Sequence, residues 1–127
     1  MLLADEYFRK FVLWLASLPF CSAEALEASL EELGGVGGIV ENSYYISAYE
    51  FLGCTLVQKN SFECILEFLR GFELELSENP EYLYYFVESI VDHSLVRGDD
   101  LETLISAAPD NYKTFLRRRF LPRSSIS

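Results

Sequence analysis

Apolar residues recur at intervals of three and four positions along most of the chain, which is the periodicity of amphipathic helices rather than of strands. The first helix shows the pattern clearly, with Phe8, Phe11, Val12 and Leu15 on one stripe. The pattern predicts an all-α fold of about seven helices that pair as antiparallel hairpins. The predicted helices cover residues 4–18, 22–33, 43–57, 62–71, 80–96, 99–107 and 109–120.

Residues typical of helix ends mark most of these boundaries. Pro19 ends the first helix, because the residue before a proline is biased away from helical backbone angles. Serine, asparagine and aspartate favour the N-cap position, and proline is favoured in the first turn. The predicted caps and starts are Ser22, Ser61, Asn79 with Pro80, the capping box of Asp99 with Glu102, and Pro109 with Asp110.

The glycine-rich segment 34–38 follows the second helix and predicts a tight turn or a flexible linker. It is not typical of a phosphate-binding loop, because it lacks the lysine and the Ser/Thr of such a loop and follows a helix rather than a strand. Two short strands stay open as alternatives. Residues 39–46 are rich in β-branched and aromatic side chains, and residues 73–76 alternate between charged and apolar side chains.

Two parts of the chain are similar at an offset of 38 residues. Each part contains a long helix, a short turn and a shorter helix rich in isoleucine and leucine. The similarity predicts a short α-solenoid of the HEAT type, in which helical hairpins stack on one another. A chance match also stays open, because any two amphipathic hairpins share apolar periodicity. The matched pairs are Tyr44 with Tyr82, Glu50 with Glu88, and Lys59 with Arg97.

A length of 127 residues, half of them hydrophobic, fits one folded domain that covers residues 1–127. The formal net charge is −10, and it is unevenly distributed. Residues 20–110 contain 18 acidic and 3 basic side chains, a net charge of −15, and a basic tail begins near Lys113. An acidic body repels phosphates and anionic lipids but attracts basic proteins. We therefore predict a basic protein partner, no nucleic acid and no membrane, and leave the oligomeric state open.

The three cysteines, Cys21, Cys54 and Cys64, have neither the number nor the spacing of a disulfide framework or a zinc site. This favours reduced thiols and a cytoplasmic location. Residues 9–23 resemble a signal peptide in outline, with a basic pair, an apolar run and small residues. However, the preceding residues 5–6 are acidic, and the apolar run is short and amphipathic. A helix of the mature domain is the better interpretation.

His93 is the single histidine of the chain, so a metal site with two histidines is excluded. None of the cysteines lies in a motif typical of a catalytic Cys–His pair. A lone histidine on a helix is more often structural or solvated than catalytic. We therefore predict no metal, no cofactor and no catalytic residue. A hydrolase that brings several carboxylates into one closed pocket is kept as an alternative.

Acidic side chains form stripes opposite the apolar stripes of the predicted helices, where solvent is expected. The fifth predicted helix also carries Tyr82, Tyr84 and Tyr85, which cannot all be buried on one side. An exposed tyrosine gives a large rigid contact area, and carboxylates beside it suit a partner rich in lysine or arginine. Packing of these tyrosines against a neighbouring helix is the alternative. The predicted partner-binding residues are Glu81, Tyr84, Tyr85, Glu88 and Asp92 on this helix, with Glu63 and Glu67 on the fourth.

In its size, its acidic body, its hairpin led by Asn79-Pro80 and its tyrosine-bearing acidic faces, the chain resembles small acidic helical immunity proteins of bacterial polymorphic and contact-dependent toxin systems. The resemblance covers the whole chain as a style of sequence without a diagnostic motif, so no family residue is carried over. It implies a one-to-one complex in which the chain blocks the substrate site of a basic toxin domain. The alternative binding hypothesis is an adaptor or chaperone that holds an amphipathic segment in an apolar groove.

Overall fold

The computed structural model describes residues 3–19, 22–73, 76 and 81–121. These residues are mostly helical and none of them forms a strand, so the predicted all-α class is confirmed. Among the helices so described, none combines the length and the apolar character that a membrane span needs. The helices are α1 Ala4–Ala16, α2 Ala23–Leu30, α3 Gly35–Asn42, α4 Tyr45–Lys59, α5 Phe62–Arg70, α6 Leu83–Val96, α7 Leu101–Ala107 and α8 Asp110–Phe120, with a 3₁₀ turn at Glu31–Leu33.

Two of the predicted N-caps are confirmed. The side chain of Ser22 accepts a hydrogen bond from the backbone N–H of Ala25 at 3.1 Å, and that of Ser61 accepts one from Cys64 at 3.3 Å. Each bond satisfies a donor that the first turn of a helix leaves unpaired. The predicted start at residues 79–80 lies outside the described residues, as do Cys21 and two of the four residues of the strand considered at 73–76.

The predicted cap of α7 is wrong by one residue. Asp100, not Asp99, accepts the hydrogen bond from the N–H of Thr103, at 3.2 Å. Asp99 still belongs to the end of α6, because its own N–H donates to the carbonyl of Ser94 at 3.3 Å. Gly98 precedes it at φ 80°, the left-handed conformation in which glycine commonly ends a helix. The helix end therefore occupies Asp99 and leaves Asp100 as the cap.

The prediction of a turn or linker at residues 34–38 holds only for the first residue. Gly34 ends the 3₁₀ turn at φ 97°, a conformation that favours glycine. The chain then forms α3, which contains three glycines despite their low helix propensity. Ile39 of α3 is completely buried, so packing against the core stabilises this short helix. The strand considered at residues 39–46 is absent, because that stretch belongs to α3, α4 and the turn between them.

The helices after α3 form two layers, in which α4 packs on α6 and α5 packs on α7. Helices α4 and α6 run parallel, because their starts, middles and ends pair in the same order. The pairs are Tyr45 with Tyr82, Glu50 with Ser89, and Asn60 with Arg97. The last two pairs are separated by 39 and 37 residues along the chain, close to the 38-residue similarity. The hairpins therefore stack as consecutive repeats of an α-solenoid do.

Helices α4 and α6 approach closely at Gly53. A Cβ atom at this position would lie 2.6 Å from the backbone oxygen of Phe86 and 2.9 Å from Cβ of Ser89. Beside this contact, the Ser89 hydroxyl donates to the carbonyl of Glu50 at 2.8 Å. The absence of a side chain at Gly53 thus sets the spacing of the pair of helices that carries the candidate site.

Helix α1 lies across the two layers and joins them through aromatic rings. Phe11 is completely buried, and its ring centroid is 4.8 Å from that of Phe86 on α6 and 5.2 Å from that of Tyr49 on α4. Trp14 packs on Phe68 of α5 at 5.4 Å. Aromatic pairs in edge or tilted arrangements stabilise a core beyond the area that they bury. Helix α1 therefore holds α4, α5 and α6 in their relative positions.

Two buried tyrosines of this core differ in one hydrogen bond. The hydroxyl of Tyr7 donates to the carbonyl of Leu76. The hydroxyl of Tyr49 is buried and has no hydrogen-bond partner in the described part of the chain. Burial raises the pKa of Tyr49, and the nearby hydroxyl of Tyr7 raises it further. Tyr49 therefore stays neutral, and the protein carries the cost of an unpaired buried hydroxyl.

Replacing Tyr49 with phenylalanine is expected to raise the free energy of unfolding by about 1–2 kcal/mol, because the unpaired hydroxyl is removed. The matched change Tyr7→Phe is expected to lower it by about 1–2 kcal/mol, because the carbonyl of Leu76 loses its donor. Urea denaturation of the two variants measures the sign of the change in the free energy of unfolding for each. A Tyr49→Phe variant less stable than the wild type would show that this hydroxyl is hydrogen-bonded in solution.

Candidate protein-binding face

Helix α6 lies between α4 and α8 and presents one narrow strip to solvent. Tyr85, Asp92 and Val96 are spaced by seven and four residues, so they lie on one line along the helix. All three are exposed, Tyr85 to 37%. Glu81, in the turn before α6, is exposed as well. The sequence predicted solvent exposure for Glu81, Tyr85 and Asp92, and the structure confirms it.

Helix α4 has an exposed acidic residue next to this strip. The carbonyl of Glu50 accepts the hydrogen bond from Ser89 of α6, which places Glu50 beside the strip, and its side chain is exposed. We call Glu50, Glu81, Tyr85 and Asp92 the α4–α6 face. Glu50 was not among the predicted binding residues. The signal that could have found it is the 38-residue similarity, which aligns Glu50 with Glu88.

Tyr84 points to the other side of α6, towards α8. Its ring centroid lies 4.6 Å from that of Tyr112 and 5.1 Å from that of Phe115. The side chain is half-buried as a result. For Tyr84 the structure therefore shows the alternative arrangement, in which a tyrosine packs against a neighbouring helix.

Glu88 lies at the edge of the face next to α8 and is only 21% exposed. Its Oε2 atom is 3.4 Å from Nε of Arg119, whose guanidinium also lies 5.2 Å from the ring centroid of Phe120. Arg117 of the same helix approaches Glu102 of α7 at 3.9 Å. The prediction that Glu88 faces open solvent is wrong, because the basic helix α8 folds back onto the acidic body.

Glu63 and Glu67 lie on a different surface. Both are exposed on α5, as predicted, and Glu67 lies 3.9 Å from Arg70 on the same helix. The buried side of α5 includes Phe68, whose ring is 5.8 Å from that of Phe86 on the buried side of α6. The exposed sides of the two helices therefore point away from each other. The seven predicted residues do not form one continuous site.

His93 is held by the helix on which it lies. The Ser89 hydroxyl gives its hydrogen to the carbonyl of Glu50, so Nδ1 of His93 faces two acceptors: the Ser89 carbonyl at 2.8 Å and the Ser89 Oγ at 3.2 Å. Nδ1 must then carry the hydrogen, which leaves Nε2 as an acceptor when the ring is neutral. These local hydrogen bonds fix the orientation of the His93 ring.

Two cysteines lie within the described residues, Cys54 on α4 and Cys64 on α5. Burial raises the pKa of the Cys54 thiol, which keeps it in its protonated, less reactive form. Cys54 and Cys64 are free thiols. Within the same described ranges, no group of three or more histidine, cysteine, aspartate or glutamate side chains is placed to hold a metal ion.

A shallow cleft of about 50 Å³ lies where α1 and α2 meet α4. Its walls are mainly aliphatic, including Leu26, Leu52 and Leu56, and Lys59 is the charged residue of its lining. A space of this size encloses only a few non-hydrogen atoms. No carboxylate lines it, so it does not have the converging acids that the hydrolase hypothesis requires. This cleft therefore gives no support to the hydrolase hypothesis.

Comparisons of the chain with protein-family models, with curated proteins and with solved structures gave no match.

Proposed function

We propose that this chain is a non-catalytic protein-binding domain that uses the α4–α6 face to bind a basic protein. The observation that supports this most directly is an exposed tyrosine, Tyr85, on a face with three exposed carboxylates. None of Glu50, Glu81 and Asp92 forms an ion pair with a basic side chain in the described part of the chain. Lysine or arginine side chains of a basic partner would supply cations to pair with these three carboxylates.

The physical role of each group in the proposed complex differs. Tyr85 supplies contact area with few rotatable bonds, and such side chains dominate the affinity of many interfaces. The carboxylates accept charge-assisted hydrogen bonds from lysine or arginine and orient the approaching partner. The net charge of −10 extends this attraction beyond the contact distance and accelerates encounter.

The resemblance to immunity proteins makes a toxin domain the first partner to test. An immunity protein need only occlude the toxin's substrate site, so it needs no catalytic group. A nuclease-type toxin has a basic substrate site, because it binds phosphates. An acidic face with a central tyrosine is suited to such a site. The product of the gene next to this one is the natural candidate.

The double charge reversal Glu50→Lys/Asp92→Lys is expected to weaken binding of the partner by about tenfold or more, since like charges then face each other across the interface. The readout is the dissociation constant for the neighbouring gene's product and for a labelled deca-arginine peptide, each measured at several salt concentrations. Wild-type affinity should fall as salt rises, because exposed charges are screened.

The matched control is Glu63→Lys/Glu67→Lys on the opposite side of the molecule, which changes the net charge by the same amount. This control is expected to weaken binding only slightly. Equal losses in the two variants would mean that net charge alone attracts the cations, and the proposed face would be wrong. Circular dichroism of both variants checks that the helices are intact.

A further inference from the structure

Arg119 of α8 lies against one edge of the α4–α6 face. Its Nε is 3.4 Å from Oε2 of Glu88, and the Arg119 side chain is 56% exposed. Glu88 follows Tyr85 by three residues and precedes Asp92 by four, so its carboxylate belongs to the same side of α6 as those two residues. A cation of the protein itself therefore already lies against this side of α6.

We propose that Arg119 is an internal competitor of the basic partner: it covers Glu88, and partner binding displaces it. This inference rests on the proposed function, because it assigns a regulation to the same face. It predicts that removal of a positive charge at Arg119 does more than add general attraction for cations. It should free one specific carboxylate that the partner can then use.

The local structure allows Arg119 to leave without unfolding α8. The helix is anchored by Tyr112 and Leu116, which are buried, whereas Arg119 lies in the last turn. An ion pair with a half-exposed partner is weak, because solvent screens it and both side chains lose freedom when they pair. The guanidinium also lies over the ring of the adjacent Phe120, and this contact does not require Glu88.

The test compares Arg119→Gln with Arg118→Gln. Arg118 is the adjacent residue of the same helix and is exposed, and its replacement changes the net charge by the same amount. Titration with the labelled deca-arginine peptide at low salt is expected to show binding about two- to fivefold tighter for Arg119→Gln than for Arg118→Gln. In a Glu88→Gln background this difference should disappear, because there is no carboxylate left to uncover.

The outcomes separate this inference from the proposed function. If charge reversal at Glu50 and Asp92 weakens peptide binding but the two arginine variants bind equally, the face stands and the competition by Arg119 is wrong. If an advantage of Arg119→Gln persists in the Glu88→Gln background, the competition is also wrong, because the effect does not pass through Glu88. If the wild type and Arg119→Gln both fail to bind the deca-arginine peptide, both proposals are wrong.

Discussion

Replacing Gly53 with alanine is expected to lower the free energy of unfolding by about 2–3 kcal/mol. The added Cβ would lie 2.6 Å from the backbone oxygen of Phe86, which is closer than the van der Waals radii of the two atoms allow. That oxygen is part of the backbone of α6 and cannot rotate away, so α4 and α6 must move apart. The movement would also strain the hydrogen bond from Ser89 to the carbonyl of Glu50.

The sign of this effect is informative, because helix propensity alone predicts the opposite. Alanine stabilises the interior of an exposed helix by about 1 kcal/mol relative to glycine. Gly37 in α3 provides the matched control, since a Cβ there would meet nothing within 4 Å and its φ is not positive. Gly37→Ala is expected to raise the free energy of unfolding by about 0.5–1 kcal/mol. If Gly53→Ala also stabilised the protein in urea denaturation, the close approach of α4 and α6 would be refuted.

Replacing Phe11 with alanine is expected to lower the free energy of unfolding by about 3–5 kcal/mol, the largest effect that we predict. The ring is completely buried and contacts Tyr49, Phe86 and Trp14 at centroid distances of 5.2, 4.8 and 5.8 Å. Its removal leaves a cavity where α1 meets both α4 and α6. The variant therefore loses apolar burial and several aromatic contacts together.

Leu13 on the same helix provides the control, because its side chain is 72% exposed. Leu13→Ala is expected to change the free energy of unfolding by about 0.5 kcal/mol or less. Thermal and urea unfolding, followed by circular dichroism and by the fluorescence of the single tryptophan, Trp14, compare the two variants. Similar stabilities would show that α1 is not docked on the layers as described.

Local signals in the sequence predicted most of the helices, because capping residues and apolar periodicity act over a few positions. Ser22 and Ser61 are examples in which the residue type and the hydrogen bond agree. Helix α3 was not predicted, since its glycines disfavour a helix locally. Its stability depends on the burial of Ile39 by other elements, and this is a tertiary effect that a local pattern does not contain.

Only part of the candidate face was predicted, because helical periodicity is also a local signal. Helical periodicity correctly placed Tyr85 and Asp92 in solvent. It could not foresee that α8, more than twenty residues further along the chain, would cover Glu88 and pack against Tyr84. Glu50 was within reach of sequence reasoning, because the 38-residue similarity aligned it with Glu88, but only the stacking of α4 on α6 gives that alignment a spatial meaning.

The parallel stacking of α4 on α6 also bears on how a protein of this kind can change in size. In a stack held by contacts between neighbours, duplication of one hairpin preserves every type of contact already present. An added hairpin would bring another glutamate equivalent to Glu50 and Glu88, one helix spacing further along the same surface. The length of the acidic surface is thus tied to the number of hairpins in the stack.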